Sequence, residues 1–219
     1  QLEDASKTFV LNGVRKTVLQ RTNLTLPSGK SIGLIGRNGA GKTTLLRMVS
    51  GTIPPTSGRI RVTGSMSWPV GFAGSFHSDL SGAQNTRYVA RLYGVDSEEL
   101  VAFTQEFSEL GEHFYLPCRT YSSGMLSRLA FGVSMGIPFD TYLVDEITAV
   151  GDAAFREKSN RVFLERLKSS GALVVAHSME LIKQLCSSVL VLEDGRLQYF
   201  DDIAEGIAAH RANMTVSQG

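Results

Sequence analysis

This sequence of 219 residues has only two cysteines and no long apolar run. Its positive and negative residues nearly balance. The two cysteines, Cys118 and Cys186, stand far apart and belong to no Cys-x-x-Cys or Cys/His spacing. This argues against a zinc motif and predicts buried thiols in a reducing compartment. The formal net charge of +1 gives no strong attraction to nucleic acid or to anionic lipid. No apolar run approaches the roughly 18 residues that a membrane-spanning helix needs.

The composition that remains is that of an ordinary globular protein. Hydrophobic residues make up 42% and charged residues 20%, and the length suits one or two domains with a sizeable core. The chain begins at Gln1 with polar residues rather than with a basic stretch and then an apolar one, so no signal peptide is expected. We therefore expect a cytosolic protein that acts at a membrane only through a partner.

Short apolar segments flanked by glycine or turn residues recur along the chain. They predict buried strands over residues 31–35, 142–144 and 173–176, helices over 42–50 and 178–186, and a hairpin over 189–199 that turns at Asp194-Gly195. Residues 59–80 are rich in Gly and Ser and are expected to be irregular strand and loop. Strands that alternate with helices favour an α/β fold with a mainly parallel sheet.

Helical periodicity over residues 84–116 predicts a helical subdomain inserted into the α/β core. Its apolar positions are Tyr88, Leu92, Leu100, Phe103, Phe107 and Leu110. We accordingly treat residues 1–219 as one domain, with a catalytic core over about 1–83 and 130–219 and a helical subdomain over about 84–129.

Residues 36–43 read Gly-Arg-Asn-Gly-Ala-Gly-Lys-Thr and fit the phosphate-binding pattern G-x-x-x-x-G-K-[ST]. Glycines let successive backbone N–H groups turn inward as an anion site, and the predicted helix that follows adds the positive end of its dipole. The Lys42 ammonium is expected to reach the β- and γ-phosphates of ATP, and the Thr43 hydroxyl to bind Mg²⁺. The candidate nucleotide-binding residues here are Gly36, Arg37, Asn38, Gly39, Ala40, Gly41, Lys42, Thr43 and Thr44.

The predicted strand over 142–144 leads into two carboxylates, Asp145 and Glu146. Asp145 is expected to hold Mg²⁺, and Glu146 to activate the attacking water as a general base. Alone, an apolar strand that ends in Asp-Glu is weak evidence, since a solvated strand end has the same pattern. The phosphate-binding pattern upstream favours the functional interpretation.

Of the four histidines, His177 holds the position that suggests a catalytic role. It follows the predicted strand over 173–176, and ligands of α/β proteins gather at the carboxyl ends of parallel strands. We expect it to donate a hydrogen bond to the γ-phosphate. For His77, His113 and His210 we favour structural or surface roles.

Residues 121–125 read Tyr-Ser-Ser-Gly-Met and stand at a predicted helix start. The hydroxyls of Ser122 and Ser123, with Gly124, suit a second anion site at that helix end. On local evidence alone, a plain helix N-cap is the better interpretation.

The order of these motifs resembles that of the ATPase domains of ABC transporters, over about residues 2–211. Residues 121–125, followed by Arg128, are similar to the family's Leu-Ser-Gly-Gly-Gln signature, with changes at its first, third and fifth positions. Residues 149–152 resemble the D-loop, which adds Asp152 to the binding candidates, and Phe9 lies where the family has an aromatic ring that stacks on adenine. The resemblance implies a P-loop NTPase fold with a mainly parallel core sheet, antiparallel β elements and an inserted helical subdomain.

The resemblance also implies how such a chain works. Two copies meet head to tail as a homodimer, and the signature of one copy closes over the ATP held by the phosphate-binding loop of the other. The homodimer drives integral membrane permease subunits from the cytoplasmic face of the bacterial inner membrane, in some systems with envelope-spanning export proteins. The surface around residues 68–110 is expected to contact the permease, and no nucleic acid partner is expected.

Three stretches narrow the resemblance to the ATPase of bacterial capsular-polysaccharide exporters, which act on a lipid-linked polymer. They are residues 67–71, the signature-like residues 121–125 and residues 145–152. Because the sequence ends at Gly219, we do not expect the C-terminal sugar-binding domain that related O-antigen exporters often carry. One departure is the glutamine of the Q-loop, which is missing near Gly71 and Phe72, and Gln84 lies too far along to be the first choice for it.

Three alternative functions compete with this interpretation, and the third of them stays open. A soluble ABC ATPase that acts on DNA or ribosomes usually has coiled-coil arms or two ATPase units, and neither is present. A nucleotide sensor without hydrolysis is disfavoured by Glu146 and His177. Export of a different polymer, such as O-antigen or teichoic acid, is compatible with the sequence.

Overall fold

The protein is described by a computed structural model over residues 1–71, 74, 76–145, 152–176 and 178–216. The chain divides into two compact units. The first unit comprises Gln1–Ser67, Asp140–Ile147 and Ser169–Gly219, and the second comprises Trp68–Phe139 and Thr148–Lys168. The functional division at about residues 84–129 stays a prediction.

Strands and helices follow one another along the chain in the mixed order expected for an α/β protein. The strands are β1 (Leu2–Leu11), β2 (Val14–Leu24), β3 (Ser31–Ile35), β4 (Ser57–Ile60), β5 (Met66–Pro69), β6 (Thr141–Asp145), β7 (Gly171–Val175), β8 (Ser188–Glu193) and β9 (Arg196–Phe200). The α-helices are α1 (Lys42–Val49), α2 (Gly82–Tyr93), α3 (Ser97–Ser108), α4 (Ser123–Gly136), α5 (Ala153–Leu167), α6 (Met179–Leu185) and α7 (Ile203–Val216). Two 3₁₀ helices cover Gly111–Tyr115 and Cys118–Thr120.

The strands form two sheets. The larger sheet has the order β5-β6-β7-β3-β8-β9, in which β6, β7, β3 and β8 are mutually parallel and β9 is antiparallel to β8. The smaller, antiparallel sheet has the order β2-β1-β4. The prediction of a mainly parallel core sheet with antiparallel β elements is confirmed.

The core of the first unit lies around the central strands of the larger sheet. Every residue of β7 and of β8 is buried, as expected for parallel strands that are covered on both faces. Leu34 of β3, Leu46 of α1 and Leu190 of β8 belong to one hydrophobic cluster, and Leu19 joins it from β2. The cluster therefore fixes α1 against the sheet, just beyond the end of β3.

The second unit contains α2 to α5. The periodic stretch predicted over 84–116 is two α-helices and a 3₁₀ helix, because Gly94 in a left-handed conformation ends α2 and Asp96 caps α3. Leu100, Phe107 and Leu110 are buried, but Tyr88 and Leu92 are 61% and 66% exposed. Since α2 buries its opposite face, the apolar positions of this stretch do not share one buried side.

Both thiols are free and buried, as predicted. Burial raises the pKa of Cys186 to about 12. Within the part of the chain that the structure describes, no helix has both the length and the hydropathy of a membrane span.

Candidate active site

The loop over residues 36–41 joins the end of β3 to α1, and close packing dictates two of its glycines. A Cβ atom on Gly36 would overlap the carbonyl oxygen of Leu192, and a Cβ atom on Gly41 would overlap a methyl group of Val18. The φ of Gly41 is +108°, a region that L side chains rarely adopt. Only glycine therefore lets the loop lie against β2 and the end of β8.

The loop leads directly into the first turn of α1. Gly41 is the N-cap residue and supplies no side-chain cap, so the first turn is not closed by a capping side chain. The N–H of Ala40 donates to the carbonyl of Arg37 at 3.1 Å, which curls the backbone before the helix begins. This arrangement presents the positive end of the α1 dipole to the loop and suits an anion.

The Lys42 side chain lies along the inside of the loop. Its ammonium Nζ donates to the carbonyl oxygens of Gly36 at 2.8 Å and of Arg37 at 3.0 Å. Both contacts hold the positive charge beside the backbone of the loop, where a phosphate group would meet it.

An open cleft of about 540 Å³ lies beside the loop. Its size falls in the range of roughly 300–1,000 Å³ that is usual for small-molecule sites. It is lined by Phe9, Lys16, Val18, Asn38, Gly39, Gly41, Lys42, Thr43, Thr44, Asp145 and Val175. The cleft therefore brings the predicted adenine-stacking residue, six of the nine nucleotide-binding candidates over residues 36–44 and the predicted metal-binding carboxylate to one place. Gly36, Arg37 and Ala40 belong to the same loop but do not line the cleft.

Phe9 lies at the cleft with its ring available to a ligand. Phe9 is 43% exposed and is therefore not a core residue. The Lys7 ammonium lies 5.1 Å from the centroid of the ring. Lys16, which the sequence analysis missed, is paired with Phe9 across the β1–β2 hairpin and adds a second positive charge to the cleft.

Thr43 of α1 follows β3 through the loop, and Asp145 is the last residue of β6. The two residues lie in the same cleft because β3 and β6 end at one edge of the parallel sheet. β3 and β6 both run parallel to β7, which lies between them. A hydroxyl and a carboxylate are oxygen donors of the kind that Mg²⁺ prefers. Among the residues that the structure describes there is no cluster of three or more His, Cys, Asp or Glu side chains that suits a metal. As oxygen donors, Thr43 and Asp145 would suit a metal that takes its other ligands from phosphate oxygens and water.

The signature-like residues lie in the second unit. Ser122 is the N-cap of α4, and its Oγ accepts from the N–H of Met125 at 3.2 Å. Gly124 in the first turn has open space around it, since the atom nearest to a Cβ built there is the Ser122 Oγ at 3.8 Å. Ser123, the first residue of α4, is exposed. These residues therefore form a regular N-cap with an accessible first turn.

Asp152, the last residue of the D-loop-like stretch, caps α5. Its carboxylate accepts from the N–H of Phe155 at 2.9 Å and from the Arg128 guanidinium at 3.0 Å. The hydrogen bond from Phe155 is the main cause that lowers the pKa of Asp152. The guanidinium also lies 4.5 Å from the centroid of the Phe155 ring, so Arg128 ties α4 to the start of α5.

Two predicted catalytic residues, Glu146 and His177, lie outside the described residues. Gln84, weighed as a distant stand-in for the Q-loop glutamine, has a structural role instead. Its Oε1 accepts from the N–H of Ser81 at 2.9 Å while its own N–H donates to the Ser81 Oγ at 3.1 Å. This capping box starts α2 and accounts for Gln84 without any nucleotide.

Strand β3 of the parallel sheet leads through a glycine-rich loop into a helix, and a carboxylate lies at the same edge of the sheet. This arrangement is that of a P-loop NTPase. Residues 19–149, more than half of the chain, match the family model described as ABC transporter. The chain belongs to the ABC transporter family and is an ATPase of that family.

Curated relatives align with nearly the whole chain. The polysialic acid transport ATP-binding protein KpsT of Escherichia coli is 45% identical over 214 residues, 96% of each chain. The ATP-binding protein BexA of Haemophilus influenzae is 45% identical over 93% of this chain and 94% of that protein. The capsule polysaccharide export ATP-binding protein CtrD of Neisseria meningitidis serogroup B is 44% identical over 92% and 94%.

Solved structures share the fold at lower identity. An ATP-binding subunit of an ABC transporter has a TM-score of 0.78 at 20% identity, over 95% of this chain and 93% of that one. The ATP-binding cassette MJ0796, solved as a dimer with ADP and Pi, has a TM-score of 0.75 at 18% identity, over 90% and 95%. Both likenesses bear on the fold alone.

Proposed function

We propose that this chain is the ATP-binding and hydrolysing subunit of an ABC exporter that moves lipid-linked capsular polysaccharide across the bacterial inner membrane. The observation that carries the proposal is identity of 44–45% with KpsT, BexA and CtrD over more than nine-tenths of this chain. O-antigen export proteins are more distant. One of them, RfbB of Myxococcus xanthus, is 36% identical, and this chain covers 47% of its length.

ATP is proposed to bind with its base against Phe9 and its phosphates in the loop. The exposed ring at the mouth of the cleft supports stacking, and the inward-facing Lys42 supports charge-assisted bonds to the phosphates. The backbone amides around Gly39 and the first turn of α1 would add donors in a fixed geometry. Lys16 is proposed to contribute a further positive charge on the side of the base.

Mg²⁺ is proposed to be held by the Thr43 hydroxyl and the Asp145 carboxylate, which line the same cleft. Bound there, the ion would neutralise negative charge on the phosphate oxygens. Glu146, directly after Asp145 in the sequence, is proposed to accept a proton from the attacking water, and His177 to donate a hydrogen bond to the γ-phosphate. Both roles rest on sequence position and family membership.

Closure of a homodimer is proposed to complete the site. The accessible first turn of α4, with Ser122, Ser123 and Gly124, would meet the γ-phosphate held by the loop of the other copy, and Asp152 would lie near it. ATP closes the dimer, and hydrolysis and release open it. Integral permease subunits would receive this motion at the cytoplasmic face of the membrane, with envelope-spanning export proteins as further partners.

Three replacements test the proposal in the native host and with the purified chain. Lys42→Ala should abolish tight ATP binding and export, because it removes the main side-chain charge on the phosphates. Glu146→Gln should bind ATP but hydrolyse it about 10²–10⁴-fold more slowly, since it lacks the general base. It should therefore accumulate as an ATP-bound dimer in size-exclusion chromatography. Lys168→Ala, which removes a lysine whose side chain is 71% exposed and forms a surface ion pair with Glu165, is the matched control.

The polymer retained inside the cell identifies the cargo. Capsular polysaccharide should accumulate at the inner face in the Lys42→Ala strain and reach the surface in the control strain. Retention of O-antigen or teichoic acid would contradict the capsular assignment and leave the ATPase assignment intact. Wild-type ATP affinity in Lys42→Ala would contradict the proposed site itself.

A further inference from the structure

A buried pair of side chains lies against the phosphate-binding loop, and neither of the two residues lines the cleft. Glu193, the last residue of β8, and His210 of α7 are each 7% exposed. One oxygen, Oε1 of Glu193, accepts from the backbone N–H of Arg37 at 3.1 Å and bonds His210 Nδ1 at 2.7 Å. The pair thus joins the loop, the end of a core strand and the C-terminal helix.

The N–H of Arg37 and the carbonyl of Gly36 belong to one peptide unit. Because a trans peptide is planar, its N–H and C=O point in opposite directions. Glu193 holds the N–H, so the carbonyl faces the other way, where it accepts from the Lys42 ammonium at 2.8 Å. The Glu193 carboxylate therefore sets the orientation of the peptide that holds Lys42 in place.

This peptide needs such a restraint. A flip of this peptide would change ψ of Gly36 and φ of Arg37. Glycine has the fewest steric limits on its backbone angles, so Gly36 itself does little to prevent the flip. Gly36 is the residue before the peptide, with φ of +157°. In a flipped peptide, the carbonyl oxygen would face a buried carboxylate and the N–H would face the Lys42 ammonium, which are both repulsive.

The end of β8 is itself fixed in position. The turn after Glu193 is held by β2, where the N–H of Gln20 donates to the carbonyl of Gly195 at 2.7 Å and Gln20 Nε2 donates to the carbonyl of Asp194 at 2.9 Å. Leu192, directly before Glu193, packs its carbonyl against Gly36. Glu193 is therefore presented to the loop from a rigid strand end.

We propose that Glu193 and His210 are positioning residues for ATP binding: Glu193 orients the Gly36–Arg37 peptide, and His210 holds Glu193. Through them, α7 sets the affinity of the loop for the nucleotide. The inference rests on the proposed role of Lys42 in binding the phosphates of ATP.

Variants that keep or remove one hydrogen bond of the pair test the proposed positioning role. Glu193→Ala removes the acceptor, whereas Glu193→Gln keeps a side-chain oxygen at the same place. His210→Phe removes the ring nitrogen, whereas His210→Gln keeps a donor. Ile207→Ala is the matched control, because Ile207 is only 5% exposed in the same helix and has no part in the pair. Affinity for a fluorescent ATP analogue and the urea midpoint are measured for each variant of the full chain.

Glu193→Ala and His210→Phe should each weaken binding of the ATP analogue by about tenfold, as expected for loss of a hydrogen bond to a charged group. Glu193→Gln and His210→Gln should restore most of the affinity. Ile207→Ala should lower the urea midpoint at unchanged affinity.

The inference is overturned if the affinity of Glu193→Ala equals that of the wild type, or if affinity follows the urea midpoint across all variants, Ile207→Ala included. Both outcomes leave the proposed function standing. If Lys42→Ala binds the analogue as the wild type does, the proposed site fails instead, and the two failures are thereby distinguished.

Discussion

Replacement of Gly41 by alanine tests whether the tight contact between the loop and β2 is required. A Cβ atom at this position would lie well under 3.0 Å from Cγ1 of Val18, a separation that real Cβ atoms do not show. The φ of +108° is also unfavourable for any L side chain. The strained φ costs about 1–3 kcal/mol, and overpacking of a buried contact costs about 1–3 kcal/mol more. The sum is a large part of the roughly 5–15 kcal/mol by which domains are stable.

The two costs are separable, because Val18→Ala removes the methyl group that Gly41→Ala would strike. Val18→Ala alone should cost about 1.6 kcal/mol, taking about 0.8 kcal/mol for each of the two methyl groups lost. In the double variant the overlap is gone and the strained φ remains. We therefore expect the pair to be less destabilised than the sum of the two single changes by about 1–3 kcal/mol.

Urea unfolding of the wild type, both single variants and the double variant gives this coupling energy directly. ATP affinity should follow the same order, because Gly41 directly precedes Lys42. If Gly41→Ala unfolds at the wild-type midpoint and binds ATP normally, the close approach of β2 is not a constraint. If the coupling energy between Gly41→Ala and Val18→Ala is zero, the destabilisation by Gly41→Ala comes from the backbone alone and the packing argument is wrong.

Two further predictions concern Phe9 and the buried thiols. Phe9→Ala should lose about 1–3 kcal/mol of base stacking, so KM should rise about 5- to 150-fold while kcat and the melting temperature hold. Val10→Ala, 62% exposed on the same strand, is the control. A lower melting temperature with unchanged KM would contradict the stacking role. Burial raises the pKa of Cys186 to about 12 and also raises that of Cys118, so the thiolates are disfavoured in the folded chain. The folded state favours the neutral thiol of Cys186. Its contribution to the free energy of unfolding is therefore fully present below the ordinary thiol pKa of about 9 and is lost as the pH rises toward about 12. At about pH 8, where free thiols begin to ionise, iodoacetamide should alkylate the folded chain far more slowly than the chain in urea, and equal rates would refute the buried assignment.

The central strands were predictable because they are short apolar runs bounded by glycine or turn residues. β3, β6, β7, α6 and the β8–β9 hairpin lie within a residue or two of their predicted bounds. The loop residues that line the cleft were predictable for a related reason, since they belong to a pattern in which the spacing of Gly36, Gly41 and Lys42 is itself the requirement of the anion site.

The β1–β2 hairpin was missed although its signal is in the sequence. Asn12-Gly13 adopts positive φ values of 49° and 80°, which are typical of a two-residue hairpin turn. That turn fixes the register, because Leu11 pairs with Val14 and hence Phe9 with Lys16. The Asn12-Gly13 turn is therefore sufficient to place Lys16 beside the base-stacking candidate.

The Glu193–His210 pair carries no comparable signal. A structural or surface role was predicted for His210, and the structure shows it buried and paired. Glu193, its partner, and Arg37, whose N–H donates to Glu193, are far apart in sequence. They come together only because of the order of the strands in the sheet. Likewise, α5 buries only Phe155, Ser159 and Phe163, too sparse an apolar set for periodicity to mark it.

The position of β3 in the sheet has a consequence for synthesis of the chain. β3 lies between β7 and β8, so both of its neighbours are made long after the loop that follows it. The Arg37–Glu193 bond spans 156 residues, and His210 is made later still. A nascent chain that exposes the glycine-rich loop thus lacks the strands that shape it. We expect ATP capture to begin only after α7 has left the ribosome, so that nucleotide occupancy reports that β7, β8 and α7 are in place around the loop.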